Sequence, residues 1–472
     1  MVSTTTITSV EALRQSVSGN VITPDDAGYE EARRAWDLTL NHYPAVIVVA
    51  KDAQDIMAAV RFAREAQLGI AVQSTGHGMQ YPADDNVLII TSQMRGVYVD
   101  PQTRIARVEA GALWLDILDQ STPHGLAPLL GSSPHVGVVG YTLGRGIGWL
   151  SRQYGFAADS LRWIDLVTAD GELRHASPTE NSDLFWGLRG GGGNFGVVTA
   201  LEFNLYPVPM VYGGDITYPG ELAGDALRFF REWTKTVPEE LTSSIAVMKF
   251  PSFPFVPEAM RGKQQVIVRA SYAGDATKGA AFIQKWLDWH APLTNTFHDM
   301  PFAEIGSIQK DPVQPTAGFG SNELLDDLSD GVIGVILKHM TSQSSPMTFT
   351  EIRHAGGAIK RIDPNSSAIA HRDAEFYFNI AGLTPTPEAY AAVKSYVPQY
   401  KADLRPYVQG GVYLNFMKGA EAQERIHDAF PPDVYKRLLA LKAEYDPENM
   451  FRYSYQLVTP QKSTEYKVQS TE

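Results

Sequence analysis

Apolar residues in the first part of the chain come in short, dense runs. Val46-Ile47-Val48-Val49 has the continuous apolar character of a buried strand, and from Asp52 the pattern changes to a helical period in which Ile56, Val60 and Ala63 return to one face. Further strands are expected at Ile70 to Gln73, Val87 to Thr91, Gly96 to Val99 and Ile105 to Glu109, followed by a helix over Trp114 to Gln120. After a glycine-rich passage from Gly131 to Gly148, the segment Asn181 to Leu188 reads as a helix and Val197 to Leu201 as a strand. The run Leu201-Glu202-Phe203-Asn204-Leu205 then meets Tyr206-Pro207-Val208-Pro209, and this pair of prolines marks a boundary.

Beyond the boundary the texture changes. Extended segments at Gln265 to Ala270, Phe349 to Arg353 and Phe376 to Asn379 alternate with helical stretches at Ala226 to Val237, Gly279 to Trp289 and Pro387 to Tyr396. A sheet covered by helices follows from that alternation, so the chain reads as α+β. Final helices are expected over Glu421 to Phe430 and Val434 to Glu444, and no internal repeat or low-complexity tract interrupts the pattern.

At 472 residues the chain exceeds what one core usually organises, which implies two domains. A formal charge of -13 without any basic run disfavours nucleic-acid binding, because phosphate contacts need clustered Lys and Arg. With no cysteine, thiolate nucleophiles, disulfides, cysteinyl zinc sites and iron–sulfur clusters are all excluded. The histidines are scattered without metal-ligand spacing, so no metal is expected. Met1-Val2-Ser3-Thr4-Thr5-Thr6 lacks the basic and apolar parts of a secretory signal, and no apolar run is long enough for a membrane span; the expectation is a cytoplasmic protein without a membrane partner, monomeric or homodimeric.

The candidate chemistry lies in glycine-rich turns. Gln73-Ser74-Thr75-Gly76-His77-Gly78 follows the apolar run Leu68 to Val72, and a tight turn there presents successive backbone N–H groups suited to a pyrophosphate, with His77 projecting beside the ligand. Gly191-Gly192-Gly193-Asn194-Phe195-Gly196 literally fits the dinucleotide fingerprint, but it follows a helix and precedes a strand, the reverse of the order an NAD-binding fold needs.

In order along the chain stand Ser74-Thr75-Gly76-His77, Pro134-His135-Val136-Gly137 with Gly140, Gly144, Gly146 and Gly148, Tyr154-Gly155-Phe156-Ala157-Ala158-Asp159, the stretch from Asp183 to Thr199, and Tyr445-Asp446-Pro447-Glu448-Asn449-Met450-Phe451-Arg452. Together they resemble the flavin-linked oxidases of the berberine bridge enzyme and 6-hydroxy-D-nicotine oxidase type, over nearly the whole chain. The resemblance implies a PCMH-type FAD-binding domain at 1–208 completed by 430–472, and a substrate domain at 209–429 whose antiparallel sheet roofs the flavin. It also implies FAD contacts from Gln73, Ser74, Thr75, Gly76, Gly78, Ser133, Val136, Gly137, Tyr141, Gly144, Gly146, Ile147, Gly196, Val198, Asn449 and Ser454, and an 8α-histidyl link through His77. A neutral imidazole is a competent nucleophile for such a link, and the tether retains the cofactor and raises its potential.

Three departures bear on the site. Ser133 stands where doubly linked relatives carry cysteine, so at most one covalent bond is expected. Gln73 and Thr75 replace the usual arginine and glycine of the first loop, which removes a charge from the pyrophosphate site. Arg145, inside the second glycine cluster, either compensates for that charge or points to the surface.

For catalysis the resemblance points to Tyr413, with Asn415 beside it, as the base; a phenol titrates near ~10, so neighbours that favour the phenolate are required. Glu351 and Arg353 alternate on a strand expected to face the ring. Relatives of the 6-hydroxy-D-nicotine oxidase type carry glutamate at both matching positions, so Arg353 departs from that amine-binding pattern and argues against a cationic substrate. His354 and Asn379 are weaker candidates, and Tyr98, Tyr141 and Tyr377 are aromatic residues that could line the substrate pocket. Val136 matches the position that admits oxygen to the flavin in plant relatives, and its small side chain favours an oxidase. The expected activity is removal of a hydride from a CH–OH or CH–NH carbon of a small molecule, with O2 reduced to hydrogen peroxide. A flavin dehydrogenase using another acceptor and a non-enzymatic flavoprotein are the alternatives.

Overall fold

The structure is a computed structural model describing residues 7–254 and 256–457. Met1 to Thr6 and the end of the 430–472 segment therefore lie outside the described residues. Three sheets organise the chain. The first has four strands, β1 (Asn20–Ile22), β2 (Val46–Val49), β3 (Ile70–Gln73) and β4 (Val87–Ile90), in the order β1-β2-β4-β3. β4 runs parallel to both β2 and β3, while β1 is antiparallel to β2. β2 and β3 run the same way on either side of β4, so the chain between them needs a crossover, and the helix Ala53–Glu65 supplies it. Asp52 caps that helix by accepting from the Asp55 amide, and Ile56, Val60 and Ala63 pack under the sheet with Val87, Ile89, Met450 and Phe451.

The second sheet is antiparallel, with β5 (Val97–Asp100), β6 (Ile105–Glu109), β7 (Leu161–Val167), β8 (Leu173–Ala176) and β9 (Val197–Asn204) in the order β5-β6-β9-β7-β8. The helix expected over Asn181 to Leu188 forms at Ser182–Leu188, and β9 takes up both apolar runs on either side of Leu201 as one strand.

After the two prolines, β10 (Met210–Pro219) opens an antiparallel eight-stranded sheet with β11 (Leu241–Lys249), β12 (Gln264–Tyr272), β13 (Thr294–Asn295), β14 (His298–Pro301), β15 (Gly318–Leu325), β16 (Phe349–His354) and β17 (Phe376–Leu383). The helices Ala223–Thr234, Ala276–Trp289, Asp330–Thr341 and Pro387–Leu404 cover one face, where Leu227, Phe230, Trp286, Ile333 and Val397 bury against Ile216, Ile245, Val268, Ile352 and Phe378. Strand alternation decides what the other face carries: Ile352 points to the helices, so its neighbours Glu351 and Arg353 point away from them.

One expected helix does not form as a unit. Residues Ala420–Glu424 are helical, the backbone turns at Arg425, and a short 3-10 segment follows at Ile426–Ala429. At this turn the Arg425 guanidinium reaches Glu323 at 2.6 Å and Asp428 at 2.6 Å. Among the described residues no helix is long and apolar enough to cross a membrane.

Candidate active site

A cavity of about 410 Å³ lies between the two smaller sheets, the chain's last segment and the helix-free face of the large sheet. β3 ends at Gln73 and the chain turns through Ser74 to Gly78 along the cavity wall. Gly76 has φ +82, and a Cβ there would stand 2.7 Å from the Ala35 Cα, so only glycine allows the close approach. That approach is sealed by two main-chain bonds, Trp36 N–H to Thr75 O at 3.1 Å and Asp37 N–H to Gly76 O at 3.3 Å. The pairing sets the Trp36 indole on the His77 ring. Burial, followed by the Lys418 charge, lowers the His77 pKa to about 4, against the opposing pull of Asp37. Its Nε2 is buried without a partner, as are Ser74 Oγ and Gln73 Oε1; the Gln73 amide donates to Arg34 O at 2.9 Å.

The second glycine passage forms the adjoining wall. Ser133, Val136, Gly137, Tyr141 and Ile147 border the cavity, and the helix Val138–Leu143 starts from Gly137. Gly144 and Gly146 stand behind this wall. A Cβ on Gly144 would fall 1.9 Å from Asn415 Oδ1, so its role is to let Asn415 in. Arg145 serves neither the pyrophosphate site nor the surface: it is fully buried, donates to Ala370 O at 3.2 Å and Ala429 O at 2.6 Å, and packs over the Phe430 ring. A guanidinium with five donors satisfies orphan carbonyls that distant loops bring to it.

Gly196 and Val198 contribute from the start of β9, and the last segment closes the cavity with Phe451, Tyr453, Ser454 and Tyr455. Asp446 anchors that segment by accepting from the Met450 and Phe451 amides at 2.7 and 2.8 Å and from Lys442 at 2.6 Å. Asn449, with φ +55, makes the turn and does not border the cavity.

On the roof, Tyr413, Asn415, Phe416 and Arg353 border the cavity. The Tyr413 hydroxyl accepts from the Ile147 amide at 3.0 Å, the Gly146 amide at 3.2 Å and the Asn415 side chain at 3.3 Å. Asn322 holds the Tyr413 backbone on both sides, accepting its N–H at 2.7 Å and donating to its carbonyl at 3.1 Å. Burial raises the Tyr413 pKa, while the Ile147 amide, Asn415 and the charges of Arg145 and Arg353 pull against it. Glu351 is buried off the cavity and gathers Arg353 Nε at 2.7 Å, Ser244 Oγ at 3.1 Å, Gln309 at 3.3 Å and Arg269 at 3.7 Å. Burial works to raise its carboxyl, but the Arg353 and Arg269 charges outweigh that and hold it below the usual range.

Of the other candidates, His354 bonds to Arg152 rather than bordering this cavity, and Asn379 sits opposite Glu351 on β17. Tyr377 stands behind Tyr413 at 5.4 Å between ring centroids, and Tyr98 is 66% exposed on β5. Trp36, Ser132, Asp311 and Tyr455 border the cavity without a signal in the sequence that singled them out. Burial raises the Asp311 carboxyl, with Ser132 hydrogen-bonding to it. No group of metal ligands occurs among the described residues.

Residues 44–177 match the family model described as an FAD binding domain, and residues 412–455 match the one described as berberine and berberine like. The chain belongs to the berberine-bridge-enzyme-like FAD-linked oxidoreductases. The (R)-6-hydroxynicotine oxidase of Paenarthrobacter nicotinovorans is 28% identical over 94% of this chain and 97% of its own. The glucooligosaccharide oxidase of Sarocladium strictum is 27% identical over 93% of each chain. The crystal structure of 6-hydroxy-D-nicotine oxidase from Arthrobacter nicotinovorans shares the fold with a TM-score of 0.84, at 25% identity over 94% of this chain and 98% of that one.

For an FAD-linked oxidoreductase the cavity is suitably built. Ser74 Oγ, His77 Nε2 and Tyr141 Oη belong to its lining residues and have no protein partner, so they are free to meet a polar ligand. The first and second loops touch at Gly137, where a Cβ would lie 2.9 Å from Ser74 Oγ, and this contact joins two walls of the cavity.

Proposed function

We propose that this FAD-linked oxidoreductase is an oxidase: it takes a hydride from a carbon bearing oxygen or nitrogen and passes the electrons to O2, giving hydrogen peroxide, with Tyr413 receiving the proton. The observation that carries this reading is the Tyr413 hydroxyl, met by two main-chain N–H groups and an amide on the cavity wall. When bound, the flavin supplies the two-electron acceptor. Tyr413 must be ionised to accept a proton, and the donors around its oxygen stabilise that phenolate. Arg353, fixed by Glu351, adds positive charge nearby and disfavours a cationic substrate. Glu351 acts through Arg353 as a positioning residue.

His77 is neutral at physiological pH and has the free lone pair that a single covalent flavin bond requires. Ser133 has no thiol for a second one. Residues 1–208 with the segment from 430 onward hold the cofactor in this reading, and 209–429 supply the roof. Val136 borders the cavity with a short side chain, which supports access for O2. The test is hydrogen peroxide release over a panel of alcohols, sugars, hydroxy acids and amines, with stopped-flow reoxidation of the reduced enzyme. Rapid turnover only with an artificial acceptor would identify a dehydrogenase instead.

A further inference from the structure

Next to the main cavity lies a recess of about 20 Å³, and Ser132, Ile147 and Arg353 border both. That volume exceeds the roughly 10–15 Å³ needed by one water-sized group. Thr242, Ser243, Trp149 and His354 border the recess, and each is more than nine-tenths buried. Each also keeps a polar atom with no partner: Thr242 Oγ1, Ser243 Oγ, Trp149 Nε1 and His354 Nδ1. Ser243 shares the face of Leu241, Ile245 and Val247, which pack with the helices, so its hydroxyl points away from Arg353. Buried polar groups are nearly always hydrogen-bonded, so the other three around one small space mark a place where a polar group binds.

The chemistry of that group can be read from the donors. Trp149 can only donate. His354 Nε2 stands 2.6 Å from Arg152, and because a guanidinium only donates, Nε2 is the acceptor and the ring proton sits on Nδ1. The Thr242 hydroxyl can donate as well. At the threshold stands Arg353, its Nε committed to Glu351 and its flat face 5.1 Å from the Phe416 ring; its two terminal nitrogens have no acceptor among the described residues. No carboxylate borders the recess; Asp311 borders the main cavity only. A guanidinium fork with free terminal nitrogens, opening onto a recess rich in donors, matches a pair of anionic oxygens. An ammonium would meet donors and a like charge there.

We propose that the substrate is a carboxylic acid, its carboxylate gripped by the terminal nitrogens of Arg353 at the mouth of this recess while the carbon to be oxidised stays in the main cavity beside Tyr413. The proposal rests on the oxidase reading only for the second half; the carboxylate site can be measured without turnover. The purified holoenzyme is titrated with benzoate and with benzamide, and with acetate and acetamide, reading both the visible flavin spectrum and the thermal unfolding midpoint. The acids are expected to bind at least about tenfold more tightly than the amides, since charge-assisted bonds to a guanidinium are the stronger kind. Arg353→Met should weaken benzoate by at least about tenfold and leave benzamide unchanged. Thr242→Val, which leaves the Arg353–Glu351 contact intact, should weaken benzoate several-fold and covers the case in which Arg353→Met does not fold. Equal binding of acid and amide, or undiminished benzoate binding in both variants, means that the recess holds only water and overturns the proposal. Benzoate binding without peroxide from any hydroxy acid would sink the oxidase reading and leave the carboxylate site standing. Peroxide from neutral alcohols with no affinity for acids would do the reverse.

Discussion

Trp36 lies flat on His77, with ring centroids 3.7 Å apart and planes inclined by 17°. The indole is fixed at both ends, its main-chain N–H on Thr75 O and its ring N–H on Val313 O at 3.2 Å. It therefore sets the plane of the imidazole and keeps water from one face. Aromatic pairs of this kind contribute about 0.5–1.5 kcal/mol beyond buried area, so losing the stack should slow flavin attachment to His77 by about two- to tenfold. Trp36→Ala is expected to show that delay, and Trp36→Phe much less of it, when apoprotein is incubated with FAD and sampled for fluorescence on denaturing gels. His77→Ala should give no fluorescent band at all.

The acid side of the proposed attachment reaction follows from the His77 environment. Its pKa falls from 6.5 to about 4, so the reactive neutral ring is present at every pH above that value. The initial rate of covalent incorporation should be level between about pH 8 and pH 5, whereas an ordinary imidazole would lose its lone pair below about 6.5. A decline centred near the ordinary value would show that the ring is more hydrated than the stack and burial imply.

For Tyr413 the sign is opposite. Burial raises the phenol, so at neutral pH only a small fraction is ionised, and that fraction grows tenfold for each pH unit below the pKa. Turnover at low substrate should climb with pH across the neutral and mildly alkaline range. Tyr413→Phe should lose about 10²- to 10⁴-fold in kcat/KM and flatten the climb. Asn415→Ala removes one of the donors to the phenolate, so its profile should move to higher pH while the protein folds normally.

Glu351 tests the roof. Its carboxylate is the shared partner of Arg353 and Arg269, and it is almost wholly buried. Glu351→Gln keeps the shape and leaves two guanidinium groups without their counter-ion, a change that typically costs about 3–5 kcal/mol for a buried pair. Denaturant unfolding should register that loss, and Arg353, no longer fixed, should bind its ligand less well.

Much of the first half of the molecule could be read locally. Asp52 caps the crossover helix because a side-chain acceptor before an apolar period is a local signal, and the Gln73 to Gly78 turn borders the cavity because a glycine turn after a strand is one too. Residues whose role depends on distant pairing were illegible. Trp36 reaches His77 through main-chain bonds to a loop some forty residues on, and nothing in its neighbours' periodicity announces that. Arg145, inside a glycine cluster, reads in sequence as an anion ligand or a surface residue, but its partners are carbonyls 225 and 284 residues away. Glu351 and Arg353 were correctly paired from strand alternation, while the depth that hides one and exposes the other to the cavity comes from Arg269, on the strand two places away in the sheet.

The end of the chain gives a prediction that separates anchoring from chemistry. Asp446 accepts from the Lys442 ammonium and from the amides of Met450 and Phe451, and Lys442 also donates to Asn194 O and Phe451 O at 3.0 Å each. Both side chains are buried, and together they hold the segment whose Phe451, Tyr453, Ser454 and Tyr455 border the cavity. Asp446→Ala strands a buried ammonium and two amide donors, so it should cost about 3–5 kcal/mol of stability. Lys442→Met leaves the carboxylate its two amides and should cost less. Because the anchored segment borders the cavity proposed to hold the cofactor, Asp446→Ala should also weaken retention of non-covalent FAD in a His77→Ala background, measured by flavin released on gel filtration. Equal retention with and without the Asp446 change would mean that the wall holds its shape by apolar packing of Met450 and Phe451 alone.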